Sequence, residues 1–416
     1  MSLLLRDVLL GDRRRDVLIE GNRILSLEGG KAQETLDCRQ RAAIPGLVNT
    51  HSHAAMTLLR GYAEDMDLKT WLETRIWPLE AKLTPDDIYW GTKLACLEMI
   101  RTGTTTFNDM YFHMDRAAAA VKETGLRAVL SEGFIDLGKA EASDVLLEKT
   151  VRVHRQIADL HTDRITVAWG PHAGYTVSAE SLRKIAERAA AEQALVHIHV
   201  SESKQEVADC QKAHGVTPPA YLDSLGILSD RTIAAHGCWL TEEDAVLLAR
   251  RGVSVSHNPV SNMKLASGRL DVPMLAYHKV NVCLGTDGAA SNNSLSMLET
   301  MKFAALLQKH AAGTPTAVDA RHVLSQGTVR GARALHLETG EIAPGKLADL
   351  VLLDLKSPGM LPLHNLTANV VYSASPAAVT DVLCDGKFLM RDRQVLGEEE
   401  ILEKGAAVAA DLLGRS

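Results

Sequence analysis

The sequence predicts an α/β protein: a (β/α)8 TIM barrel with a small composite β-sandwich domain built from both chain ends. Three observations predict it. Eight short apolar runs alternate with helical stretches through the middle of the 416-residue chain. Histidines and acidic residues stand at the C-terminal ends of those runs, the end where such barrels build their sites. The two ends of the chain read as strands and turns without that alternation.

Residues 1–42 read as short strands turning at Gly11-Asp12 and Gly21-Asn22. The start, Met1-Ser2-Leu3-Leu4-Leu5-Arg6, reads as a strand and not a signal peptide, because no cleavage-site pattern follows. Arg13-Arg14-Arg15 reads as solvent-facing between two strands. From residue 43 the pattern alternates, with strands expected over 43–50, 104–109, 127–134, 165–171, 194–200, 232–237, 253–257 and 281–286. Helices are expected over 85–101, 115–124, 178–192, 241–251, 294–311 and 319–335. From Gly345 the chain is strand-like again, with strands at 379–383 and 387–390 and a helix near 398–413. Residues 1–42 plus 345–416 are thus expected to form the composite domain, and 43–344 the barrel.

A 46% hydrophobic content suffices for one large core and a smaller one. The net charge of −7, with no basic cluster, gives nucleic-acid binding no electrostatic support. No apolar stretch reaches the ~18–20 residues of a membrane span, so no membrane association is expected. The six cysteines (38, 96, 210, 238, 283, 384) contain no Cys-x-x-Cys pair, which argues for reduced thiols, a cytoplasmic setting and no cysteine-ligated zinc.

The chemistry starts at His51-Ser-His53, which ends an apolar run. Residues two apart on a strand share a face, so both imidazoles can hold one divalent metal. A lone His-x-His is weak evidence, since histidines are often satisfied core or surface residues. Further residues strengthen it. The run 195–200 carries His199, followed by Glu202; 232–235 leads to His236; 280–286 leads to Asp287.

Across nearly the whole chain these residues resemble the amidohydrolase superfamily, and within it the 5′-methylthioadenosine/S-adenosylhomocysteine deaminase family. The marks are Pro45-Gly-Leu-Val-Asn-Thr-His51-Ser-His53, Gly103-Thr-Thr-Thr, Gly170-Pro-His172, His199-Val-Ser-Glu202, Ala235-His236, Ser256-His257-Asn258-Pro259, Ser261-Asn262-Met-Lys264 and Gly285-Thr-Asp287-Gly-Ala-Ala-Ser291. Gly345-Lys-Leu-Ala-Asp349 is a further mark, placing the composite domain beside the barrel.

The resemblance implies that His51, His53, His199 and Asp287 hold one metal per chain. Three neutral imidazoles and one carboxylate suit Zn²⁺, with Fe²⁺ as the alternative, and an open position for water. No strand-end lysine is present to carry a bridging carbamate, which favours a mononuclear site. Asp287 would also accept a proton from the water, and His236 would hydrogen-bond it. The pattern puts the metal on His199 and leaves His197 structural. Glu202 would protonate the ring nitrogen beside the carbon under attack and return a proton to the departing ammonia.

At the substrate end, Trp71 and Glu80 match positions that pack on the base and bind the ribose hydroxyls. Alone, Trp71 would read as core and Glu80 as a surface charge. His172, Asn262 and Ser291 are further candidates. Where relatives that accept S-adenosylhomocysteine carry an arginine, this chain has Glu132, expected to repel the homocysteine carboxylate. The resemblance therefore implies hydrolytic deamination of 5′-methylthioadenosine, 5′-deoxyadenosine or adenosine, with S-adenosylhomocysteine secondary. The expected partners are a small nucleoside and further copies of the chain, with neither nucleic acid nor membrane. Rival readings are a free-base deaminase acting on guanine or a pterin, a triazine-type chlorohydrolase, and a non-catalytic barrel.

Overall fold

The computed structural model describes residues 2–415. The chain begins with β1 (Ser2–Leu10), β2 (Arg13–Glu20), β3 (Arg23–Ser26), β4 (Glu34–Asp37) and β5 (Arg41–Pro45). Eight strands follow: β6 (Leu47–Ser52), β7 (Thr104–Tyr111), β8 (Arg127–Phe134), β9 (Ile165–Pro171), β10 (Leu195–Val200), β11 (Thr232–His236), β12 (Ser254–His257) and β13 (Asn281–Leu284). The last four are β14 (Leu350–Asp354), β15 (Val379–Cys384), β16 (Lys387–Arg391) and β17 (Gln394–Val395).

Strands β6 to β13 lie side by side in chain order, all parallel, and form a nearly closed barrel. Each passes to the next through at least one helix, as parallel pairing requires. Side chains and turns bridge the seam between β6 and β13. Asn49 Nδ2 donates to Thr286 Oγ1 (2.7 Å), Thr50 Oγ1 to the Leu284 carbonyl (2.9 Å), and Asp287 N to the His51 carbonyl (2.9 Å). Metal-ligand candidates therefore stand on both banks of that seam.

The run 43–50, read from sequence as one strand, is two. Its first half belongs to β5, which pairs with β1 and β14 in the other sheet; its second half belongs to β6. Gly46 is the corner. A Cβ there would collide with Thr105, and its N–H donates to the Asp349 carbonyl (2.9 Å). The expected helix 319–335 is also two, Ala320–Gln326 and Val329–Ala334. It breaks at Gly327, whose carbonyl accepts from Val48 N of β6 (2.8 Å).

The remaining strands make one mixed sheet, ordered β17-β16-β15-β14-β5-β1-β2-β3, with β4 also pairing β1. Both chain ends contribute to it, because β14 is inserted between β5 and β15. Alternation along the strands gives it two apolar faces. Leu5, Val17, Ile19, Ala43, Leu350 and Leu352 form its own small core. Ile44, Val351, Leu353 and Val382 point the other way and join the barrel core. A buried ion cluster pins the two layers together. Arg127 of β8 donates from Nε to Asp349 Oδ2 (3.2 Å) and from Nη2 to Asp385 Oδ1 (3.1 Å). Among the described residues, no helix is long and apolar enough to cross a membrane.

Candidate active site

His51 lies in β6 with His53 just beyond it, His199 lies in β10, and Asp287 follows β13. Their donor atoms converge. Asp287 Oδ1 is 3.4 Å from His51 Nε2 and 3.3 Å from His53 Nε2, and His199 Nε2 is 3.4 Å from His53 Nε2. Ligands around a tetrahedral ion with bonds of ~2.0–2.1 Å stand about 3.3–3.4 Å apart, so these separations fit one zinc-sized ion.

The other ring nitrogens are already engaged. His53 Nδ1 donates to the Met110 carbonyl (2.6 Å), His199 Nδ1 to the His172 carbonyl (2.7 Å), and His51 Nδ1 pairs with His197 Nε2 (2.7 Å). Such partners fix ring orientation and leave each Nε2 lone pair for a metal. The buried Nε2 of His51 has no hydrogen-bond partner among the described residues. Burial holds His51 and His199 below the usual imidazole range, hence neutral. Burial would raise Asp287, but the His51 ring 3.4 Å away and then the other imidazoles around it hold it well below the usual carboxylate range. Ser261 Oγ donates to Asp287 Oδ2 (2.6 Å) and fixes that carboxylate.

Glu202 sits in the turn after β10, its Oε2 3.7 Å from His236 Nε2. Burial, then the negative charges of Asp287 and Glu206, push it well above the usual carboxylate range. Burial thus favours its protonated form. His236 is held neutral, at about 3, chiefly by burial. The Asn262 amide nitrogen, 2.9 Å from His236 Nδ1, is a donor only, so Nδ1 accepts and the ring proton sits on Nε2, facing Glu202. His236 thus offers a hydrogen bond to the site and is not its base.

The pocket over these groups is lined by Trp71, Glu80, His172 and Ser291, among others. Trp71 is buried, and its Nε1–H has no partner among the described residues. Glu80 is raised by burial, and one of its oxygens accepts from Tyr111 Oη (2.6 Å). His172 is neutral, at about 3, through burial and then the neighbouring His53 and His51; its Nδ1 pairs with Thr176 Oγ1 (2.9 Å).

Two expected substrate contacts are corrected. Glu132 turns away from the pocket into the helix layer, where Oε2 accepts from Met114 N (3.0 Å) and Oε1 pairs with Lys149 Nζ (2.8 Å). Its strand neighbour Gly133 faces the pocket instead, because successive residues point to opposite faces. Asn262 is fully buried behind His236 and holds it in place. Three residues escaped the sequence reading. Tyr111 lies two residues past the expected strand 104–109, Ser261 opens the Ser261-Asn262-Met-Lys264 motif, and Glu206 completes a Ser203-x-x-Glu206 capping-box pattern.

A model of the amidohydrolase family matches residues 42–389. The 5′-deoxyadenosine deaminase of Methanospirillum hungatei JF-1 is 50% identical over 425 residues, covering 100% of this chain and 95% of that protein. A 5-methylthioadenosine/S-adenosylhomocysteine deaminase of Thermococcus sibiricus is 45% identical over 401 residues, 94% of each chain. The crystal structure of an adenosine deaminase from Xanthomonas campestris with bound zinc matches with a TM-score of 0.94 at 36% identity, covering 99% of this chain and 98% of that one.

Proposed function

The chain belongs to the amidohydrolase family, and from that premise we propose that it is a metal-dependent deaminase of 5′-modified adenosines, 5′-deoxyadenosine and 5′-methylthioadenosine foremost. The products are the corresponding inosines and ammonia. One observation carries the reading: a buried carboxyl, Glu202, enters the same pocket as His53, His199 and Asp287, 3.7 Å from His236 Nε2, where burial favours its protonated form. Attack on an aromatic C–NH₂ carbon needs such an acid.

His51, His53, His199 and Asp287 would hold the metal, for which their donor set suits Zn²⁺. When bound, it acidifies a water towards a pKa of ~7. Glu202 donates its proton to N1 of the purine, which makes C6 electrophilic. Asp287 accepts one proton from the attacking water, and the His236 Nε2–H steadies the water oxygen. As the tetrahedral adduct collapses, the C6–N bond breaks. Glu202 takes the hydroxyl proton and passes it to the amine, which leaves as ammonia, and the proton held by Asp287 then recharges Glu202. Trp71 packs on the base, and Glu80, steadied by Tyr111, accepts from the ribose diol.

The pocket lining supports the 5′ preference. Leu68, Leu72, Phe112 and Ile135 are among its residues, and none of the described residues lining it is a lysine or arginine. An uncharged 5′ group suits that wall, whereas a homocysteine carboxylate would find no cation there, making S-adenosylhomocysteine the weaker substrate. The test is a panel of 5′-deoxyadenosine, 5′-methylthioadenosine, adenosine, S-adenosylhomocysteine and guanine, followed by the absorbance change on deamination. The first two should show the highest kcat/KM. Preference for guanine would overturn the nucleoside reading, and preference for S-adenosylhomocysteine the 5′ assignment.

A further inference from the structure

We infer that Glu206 is a positioning residue that clamps the backbone of Glu202 in its proton-donating geometry, an inference that rests on the deamination reading above. Glu206 lies in the first turn of the helix Lys204–His214, whose N-cap Ser203 accepts from Glu206 N (3.1 Å). In a capping box the returning carboxylate takes the N–H of the N-cap residue. Here it reaches further back and spans two donors. Oε1 accepts from Ser201 N and Oε2 from Glu202 N, each at 2.8 Å.

What this clamp holds is a strained turn. Ser201 has φ +50°, in the left-handed region that L-residues seldom adopt. Such backbone persists only where its surroundings over-determine it. The Ser201 carbonyl is held from the other side by Trp239 N (3.1 Å). Between these two restraints the chain turns sharply off β10, and the Glu202 side chain enters the pocket beside His236. Glu206 itself does not line the pocket, so it acts through Glu202 and not on the substrate. A carboxylate suits this role, because each of its equivalent oxygens can accept one N–H. An amide offers one acceptor and sets an N–H donor against the other.

Glu206→Ala and Glu206→Gln, each alone and combined with Glu202→Gln, test the inference with 5′-deoxyadenosine as substrate and zinc content and melting temperature as controls. A misaimed acid costs kcat and spares binding, so Glu206→Ala should lower kcat at least about ten-fold and leave KM within about three-fold, with zinc content unchanged. Glu206→Gln should fall between it and wild type, and carries the test if the alanine variant does not fold. Because the effect runs through Glu202, neither change should lower kcat further in the Glu202→Gln background. The clamp is overturned if both Glu206 variants keep wild-type kcat while Glu202→Gln is impaired. It is overturned equally if their losses add to that of Glu202→Gln, or come with loss of zinc. Wild-type kcat in Glu202→Gln would overturn the deamination reading, and the clamp with it.

Discussion

In the proposed reaction Glu202 and His199 separate two demands on the site, moving a proton and holding an ion. Glu202 is not among the convergent donors, and its burial favours the protonated form. Glu202→Gln keeps shape and volume but has no proton to give. Zinc content should stay at wild type while kcat falls at least ~10²-fold, the scale of a positioned general acid. His199→Ala removes one of four donors, so zinc content by metal analysis should fall well below about one per chain, with activity and melting temperature following. Retention of full activity by that variant would remove His199 from the ligand set. His197, two positions earlier, shows why spacing alone misleads. It shares the face of His199, yet its Nε2 is spent on His51 Nδ1 (2.7 Å). Nothing in the local sequence distinguishes the pair; the partner that distinguishes them comes from another strand.

The segment Leu68–Glu80 is the element that shapes the substrate wall. It runs as helix Leu68–Trp71, a π-turn Leu72–Ile76 and helix Trp77–Glu80. In an unbroken α-helix, at about 100° per residue, Trp71 and Glu80 would stand on opposite faces. Both face the pocket here, because the widened turn shifts the register. Pro78 supplies the cause. It has no N–H to donate, and its ring would strike the carbonyl four residues back unless the helix opens. Trp77 N accordingly donates to the Leu72 carbonyl, one residue further back than in an α-helix. Pro78→Ala should let the turn tighten and swing Glu80 off Tyr111. The lost hydrogen bond to a carboxylate, about 1.5–3 kcal/mol, corresponds to a rise in KM for ribonucleosides of roughly 10- to 150-fold and a narrower preference over their 2′-deoxy analogues. An unchanged ribose preference would mean that Pro78 does not set this register.

At the scale of the molecule, the composite sheet is locked to the barrel by charge as well as by apolar packing. Arg127 is 4% exposed and Asp349 1% exposed, so each desolvated charge depends on the other. Asp349 also accepts from Asp385 N (2.7 Å), drawing a hairpin of the last strands into the same cluster. Removing one partner of a buried pair costs up to roughly 3–5 kcal/mol, and here Asp385 still faces Arg127. Asp349→Ala should therefore lower the calorimetric melting temperature by about 3–6 °C while leaving metal content unchanged. A melting temperature equal to wild type would show that the cluster does not tie the layers together.

Much of this was legible in the chain. Eight alternating strands, the histidines and carboxylates at their ends, and two strand-rich termini follow from periodicities of two and 3.6 residues, which are local properties. The corner at Gly46 was not legible, because apolar content continues unbroken through it; the split is imposed by Thr105 and by the Asp349 carbonyl, both remote in sequence. The same limit explains Glu132 and Asn262. The motif places each near the site, but the direction of a side chain depends on strand facing and on partners such as Lys149 and His236. Glu206 is the reverse case: its Ser203-x-x-Glu206 spacing is local and fits a helix cap, and only the fold brings its carboxylate back onto the turn of the proposed acid. Sequence determined which chemistry the chain carries and at which strand ends. Tertiary structure decided which atoms meet, because donors converge only once β6 and β13 close the barrel.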